Sequence, residues 1–290
     1  MRVLTVIGLC CFLGAAMISP ESGTSHAAGG SSPPQVDVEY RFQEGISLHE
    51  PVVVIFSVHN GLSQPITLTL GAQSRQYFQF SLTTAKGYTL QSYRNPGEDA
   101  DVVTVGSGKV EVVPGGGYEQ PLLVNQWFQF DTPGIYYLTS KLATGIQVAG
   151  DANIQPQGRT IRLVIKPRDA ARLEKVCSEL AKQVLAAKDV EQETEPALKL
   201  SYIDDPIAVP YMAYVLSHRM FNDQLIVRGL ERMGDEAAVE VLLSELGDDY
   251  GDIGVLARRA LIRMQHRISN PNLKETVRRA LEQEPPPASQ

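Results

Sequence analysis

Residues 159–184, RTIRLVIKPRDAARLEKVCSELAKQV, decide the fold. Up to Lys166 apolar side chains alternate in twos, the period of a strand with one buried face. Beyond Pro167 they recur as Leu173, Val176, Leu180 and Val184, the period of an amphipathic helix. The same division holds along the whole chain. Upstream, Val36, Val38, Tyr40 and Phe42 open a series of strand-like segments at 35–42, 51–59, 65–70, 76–83, 102–113, 120–130, 134–142 and 158–166. Turn chemistry separates them: Asn60-Gly61, Lys86-Gly87, Asn95-Pro96-Gly97, Pro114-Gly115-Gly116-Gly117 and Thr132-Pro133-Gly134. Eight short strands with no helix between them predict a sandwich or a barrel, and we expect the sandwich.

Downstream, the spacing predicts helices over 169–188 and 196–203, then one opening at Pro206 behind an Asp205 cap. Another is capped by Asn222 or Asp223 and stopped by Gly234, and three more follow over 235–246, 252–266 and 271–283. A repeat runs through them. DPIAVPYMAYVL from Asp205 aligns with DEAAVEVLLSEL from Asp235 at an offset of thirty, and RGLERM from Arg228 aligns with RALIRM from Arg259 at thirty-one. Short helix pairs at this period bury their apolar faces only by stacking on neighbours, the pattern of an α-solenoid.

The first residues read as a leader. Met1-Arg2 is a basic start, residues 3–18 are apolar, and Ser25-His26-Ala27 offers small residues for cleavage. Sixteen or so apolar residues fall short of the ~20 that cross a bilayer, so no membrane span is expected once the leader is removed. We therefore expect a signal peptide at 1–27, a flexible linker at 28–34, a β-domain at 35–167, a helical domain at 168–284 and a disordered tail at 285–290. The mature chain would be periplasmic or secreted. Cys10 and Cys11 leave with the leader, so Cys177 cannot form an internal disulfide and is expected to be a buried small apolar residue.

Two stretches, PVVVIFSVHNGLSQPITLTL from Pro51 and VVPGGGYEQPLLVNQW leading into FQFDTPGIYYL, resemble immunoglobulin-like bacterial domains that include the BsuPI-type proteinase inhibitors. That resemblance implies an immunoglobulin-like antiparallel β-sandwich, with Tyr136 folded back onto the backbone as a tyrosine corner. The helical half is similar to HEAT repeats of the PBS-lyase-like kind, whose second helix opens with Asp and continues with an apolar-Arg step. Asp252 with Ala257-Arg258, and Asp223 with Val227-Arg228, match that step at spacings that differ by one residue. This resemblance implies a short HEAT-like α-solenoid and a pairing of Asp252 with Arg258.

Charge is uneven. Residues 189–252 hold fifteen Asp and Glu against four Lys and Arg, a net of −11, whereas 253–290 net +4. That balance argues against nonspecific nucleic-acid binding. Arg228, Arg232, Arg259 and Arg263 recur at four-residue spacing on two equivalent helices. They read either as a groove for an acidic peptide or phosphate, or as a solvated face or structural ladder in which each pairs with an Asp of the same or an adjacent unit. Trp127, alternating with Asn125 and Gln129, falls on the polar side of its predicted strand, where it would either stack on a sugar or partner, or fill a join. Acidic clusters at 98–101 and 248–252 lack calcium-loop spacing, and Val105-Gly106-Ser107-Gly108-Lys109 lacks the first Gly and the Ser or Thr of a phosphate loop. The five histidines show no metal-ligand spacing, and no Ser sits in a nucleophile elbow. The expected protein is an exported, non-enzymatic adaptor without cofactor or metal that binds a protein partner. Protease inhibition through sandwich loops and carbohydrate binding are the alternatives.

Overall fold

The computed structural model describes residues 35–71, 77–92, 107–148, 153–247 and 252–282. The leader, the linker, the tail and the acidic cluster at 98–101 lie outside them, as do residues 248–251 of the second cluster and the start of the glycine-containing 105–109 stretch. Strands come first and helices follow, with the change at Pro167.

Among the described residues there are twelve strands: β1 (Val36–Phe42), β2 (Ile46–Ser47), β3 (Val53–Asn60), β4 (Ile66–Gly71), β5 (Phe78–Thr84), β6 (Thr89–Leu90), β7 (Ser107–Val112), β8 (Gly117–Leu123), β9 (Gly134–Leu142), β10 (Ile146–Val148), β11 (Asn153–Ile154) and β12 (Arg159–Lys166). They form three open sheets ordered β1-β3-β8, β11-β10-β4-β7 and β2-β12-β9-β5-β6. Pairing is antiparallel except where β2 runs parallel to the end of β12. One apolar core serves all three sheets. Its spine is aromatic: Tyr40 meets Phe56 at 5.4 Å, Phe56 meets Phe78 edge-on at 5.0 Å, and Phe80 meets Trp127 edge-on at 4.7 Å. Phe56 belongs to the first sheet and Phe78 to the third, so these rings join layers as well as fill space.

The Asn60-Gly61 turn is fixed by chemistry that its residue types supply. Asn60 is buried and spends its amide on the carbonyls of Gln64 and Val112, both at 2.9 Å. A Cβ on Gly61 would stand 2.6 Å from the Gln35 carbonyl oxygen, so only glycine lets the two segments approach. At the other end of the half, the Tyr136 hydroxyl donates to the Thr132 carbonyl at 2.6 Å, the fold-back expected of it.

The predicted strand over 120–130 ends early. After Leu123 the chain makes a 3-10 turn, Val124–Gln126, closed by the Trp127 amide on the Val124 carbonyl at 2.9 Å. A turn rotates side chains by about 120° per residue where a strand rotates them by 180°, so the alternation used to place Trp127 fails there. Trp127 points inward.

Seven α-helices follow among the described residues: α1 (Ala170–Ala186), α2 (Val190–Ser201), α3 (Val209–Leu216), α4 (Asp223–Met233), α5 (Glu236–Ser244), α6 (Ile253–Met264) and α7 (Pro271–Glu282). Asp169, Asp189 and Asp235 cap α1, α2 and α5, each accepting an amide three residues on, and Gly234 ends α4 at φ +65°. Asp205 caps a 3-10 turn over Pro206–Ala208 that leads into α3. One boundary differs from expectation. Helix α2 begins at Val190 behind its Asp189 cap, leaving Pro196 in its interior and not at its start.

The helices lie in two rows. Contacts link α1, α3, α5 and α7 in one row and α2, α4 and α6 in the other, with each neighbouring pair packed together. A continuous core runs between the rows through Leu173, Leu200, Met212, Leu230, Leu242 and Leu261. Second-row helices pack closely where Gly229 faces Ser201, since a Cβ there would lie 2.8 Å from the Ser201 Cα. Among the described residues no helix is long and apolar enough to cross a membrane. The described residues fall within one unit of contacts.

Candidate functional site

Where the halves meet, two carboxylates are buried and each is held by an arginine from the segment that follows β12. The parallel pairing of β2 with β12 brings residues 46–50 beside the first turn of α1. His49 adopts φ +71°, a left-handed conformation that turns the chain so that Glu50 points inward. Glu50 accepts from the Ser47 hydroxyl at 2.8 Å and from the Arg172 guanidinium through both oxygens. Four residues upstream of Arg172, Arg168 forks Asp205, whose carboxylate also caps the Ile207 amide at 3.1 Å. Burial alone would raise the Asp205 carboxyl, but the Arg168 fork and the Ile207 amide hold it below its ordinary value. Gln129 adds a hydrogen bond to Asp204 at 2.7 Å. The result is a clasp at the junction: the forked Glu50–Arg172 pair and the Gln129–Asp204 bond cross between β-half and α-half, and the Arg168–Asp205 fork fixes the segment that joins them.

The four sequence-predicted arginines separate into two pairs with different fates. Arg232 and Arg263, equivalent positions of α4 and α6, each reach back to the preceding second-row helix. Arg232 donates to the Ser201 carbonyl at 2.7 Å and lies 3.8 Å over the Tyr202 ring; Arg263 forks Glu231 at 2.6 and 2.7 Å. Arg267 adds a bond to the Glu231 carbonyl. These form a ladder of the structural kind, except that its acid is a Glu and its first rung is a carbonyl. Arg228 is half-buried and Arg259 exposed, and no ion pair of either with a described residue is present. Equivalence on adjacent packed helices sets them roughly 10 Å apart, one helix spacing. Arg258, which the family resemblance pairs with Asp252, donates to the Leu281 carbonyl at the end of α7.

Trp127 is 5% exposed, with its ring against Phe80, so its aromatic face is spent inside the protein. Its expected place on a polar strand face is corrected accordingly. Cys177 is fully buried, and burial pushes its thiol up to about 12, leaving it protonated and inert. Among the described residues no group of His, Cys, Asp and Glu is arranged to hold a metal ion.

Sequence reasoning missed three buried acids. Glu50 is one. Glu193, in the first turn of α2, accepts the amides of Phe221 and Asn222 at 2.9 and 2.7 Å and so ties α2 to the turn before α4. Glu231 is the third. In sequence Glu193 and Glu231 sit beside charged or polar residues and Glu50 sits between His49 and Pro51, so none carries a local mark of burial, and the arginines and amides that hold them lie far along the chain.

No protein-family model and no curated protein matches the chain. Among solved structures it is similar to a CARDB domain from Pyrococcus furiosus in complex with di-metal ions, at 12% identity and TM-score 0.24. That match covers 46% of this chain and 88% of that one. It is also similar to Astrotactin-2, a vertebrate-specific, perforin-like membrane protein involved in neuronal development, at 12% identity and TM-score 0.21. Here the match covers 85% of this chain and 39% of the other. Overlaps this low transfer no residue roles.

Proposed function

We propose that the chain is an exported, non-catalytic binding protein that acts through protein–protein contact. In this reading the β-half is an immunoglobulin-like sandwich and the α-half a short HEAT-like solenoid. The sandwich reading is supported by antiparallel sheets around one core and by the Tyr136 fold-back onto Thr132. The solenoid reading is supported by helices stacked in two rows, with rungs at Arg232 and Arg263 that recur at the sequence offset.

The observation that carries the functional reading is the clasp. The buried Glu50, forked by Arg172, and the Gln129–Asp204 bond hold the two halves in one geometry, and the Arg168–Asp205 fork fixes the segment between them. A scaffold that presents two surfaces to one partner gains from such rigidity, because less freedom is lost on binding. Within it, Arg228 and Arg259 offer two guanidiniums at helix spacing to an acidic peptide. The test is crosslinking and pull-down from envelope extract with the wild-type chain and with the double variant Arg228→Glu, Arg259→Glu. A specific partner captured by the wild type and lost by about tenfold or more in the variant is expected. Capture unchanged by the reversal would remove these arginines from the binding surface; capture of no partner would remove the adaptor reading.

A further inference from the structure

The turns α1–α2 and α3–α4 each join a first-row helix to its second-row partner, so both emerge on the same edge of the helical half. That edge carries apolar side chains the core does not use. Phe221 is 62% exposed, Tyr214 54% and Val190 40%. Tyr214 meets the His218 ring edge-on at 4.6 Å, and the His218 Nδ1 lies 2.8 Å from the Tyr214 carbonyl oxygen. Phe221 and Val190 are neighbours across the two turns, since the Asn222 side chain reaches the Val190 carbonyl.

These rings stand on a fixed base. The Phe221 and Asn222 amides both donate to the buried Glu193 carboxylate, and the Met220 amide donates to Asp223 at 3.2 Å. An aromatic side chain held out from a backbone anchored beneath it loses little freedom when covered, which suits it to be an anchor at an interface. The surroundings state the partner's charge. Asp189 and Glu191 are exposed beside Val190, and the guanidinium of Arg219 at this edge is engaged by Glu245 at 2.8 Å.

We propose that this edge, with Phe221, Tyr214 and Val190 at its centre, docks a basic segment of a partner protein that carries an apolar anchor residue. The surface is separate from Arg228 and Arg259, so it stands or falls apart from the acidic-peptide reading.

The probe is a synthetic peptide of lysines around a leucine pair, compared with the same peptide carrying serines for leucines or glutamates for lysines. Binding is read by fluorescence anisotropy at low and high salt. The Lys/Leu peptide should bind the wild type and weaken with salt, and Phe221→Ser or Tyr214→Ser should weaken it by about tenfold. Val255→Ser and Ile262→Ser remove side chains of similar exposure, 50% and 55%, from the basic end of the chain and should leave binding unchanged. Thermal unfolding confirms that each variant is folded. Equal binding by the Phe221→Ser variant, or equal binding of the Glu/Leu peptide, would overturn the proposal. So would a concentration-dependent dimer in sedimentation that Phe221→Ser abolishes, because the occupant would then be a second copy.

Discussion

The β-half and the α-half keep their interiors together in different ways. In the first, strands far apart in sequence close over a single core whose centre is a run of aromatic rings crossing between sheets. In the second, each helix pair completes its neighbour, and the rows are pinned by side chains reaching back one unit, Arg232 to Ser201 and Arg263 to Glu231. The aromatic core has no partial version, whereas the stacked helices have a graded one. The Glu50–Arg172 fork and the Gln129–Asp204 bond tie the graded half to the all-or-none half. Cooperative unfolding of the whole chain therefore depends on the clasp, and this can be followed with two signals. Trp127, the one tryptophan, reports on the β-half by fluorescence, and helical circular dichroism reports on the α-half.

The largest effect is expected from Phe56→Ala. Phe56 is fully buried and touches both Tyr40 and Phe78, so truncation should cost about 3–5 kcal/mol. With the clasp intact, urea unfolding followed by fluorescence and by circular dichroism should shift to lower midpoints together. A shift confined to the fluorescence signal would mean that the halves unfold independently and that the clasp transmits nothing.

Arg172→Met tests the tie directly. It leaves Glu50 buried with only the Ser47 hydroxyl as a described partner, and the cost is about 2 kcal/mol, below the usual figure for a broken buried pair because Arg172 itself is partly exposed. Its signature is separation: the two transitions, coincident in the wild type, should come apart. If they move together, the comparison between a closed core and a graded stack joined at one clasp is wrong.

Much of this comparison was legible in the sequence. The change of period at Pro167, the Asp205 cap, the Gly234 stop and the offset of thirty to thirty-one are local signals, and the structure contains the elements they imply. Short strands such as β2, β6 and β11 hold two residues each and carry no period to read. Trp127 was misplaced because a 3-10 turn interrupts the alternation that strand reading assumes. The buried acids were hidden for another reason. Glu50 meets its arginine across 122 positions and Glu193 its amides across 28 and 29, and no pattern within a window of residues encodes a partner that distant.

The smallest effect, and the one that sharpens the account of the graded half, concerns Asp223. It sits buried at the start of α4 beside Glu193, Arg219 and Glu245. Burial pushes its carboxyl up to about 7, against the pull of the Met220 amide, and the Glu193 charge adds to the rise. A carboxyl that binds its proton more tightly folded than unfolded favours the folded state at low pH. That contribution is whole below about pH 4, the unfolded value, and is lost as pH rises through about 7. Between about pH 5 and pH 8 the helical signal should therefore lose roughly 1–2 kcal/mol of stability from this residue. Asp223→Asn, which stays neutral throughout, should flatten that slope relative to the wild type in urea titrations at the two pH values. An unchanged slope would show that Asp223 does not carry the proton whose release weakens the helices.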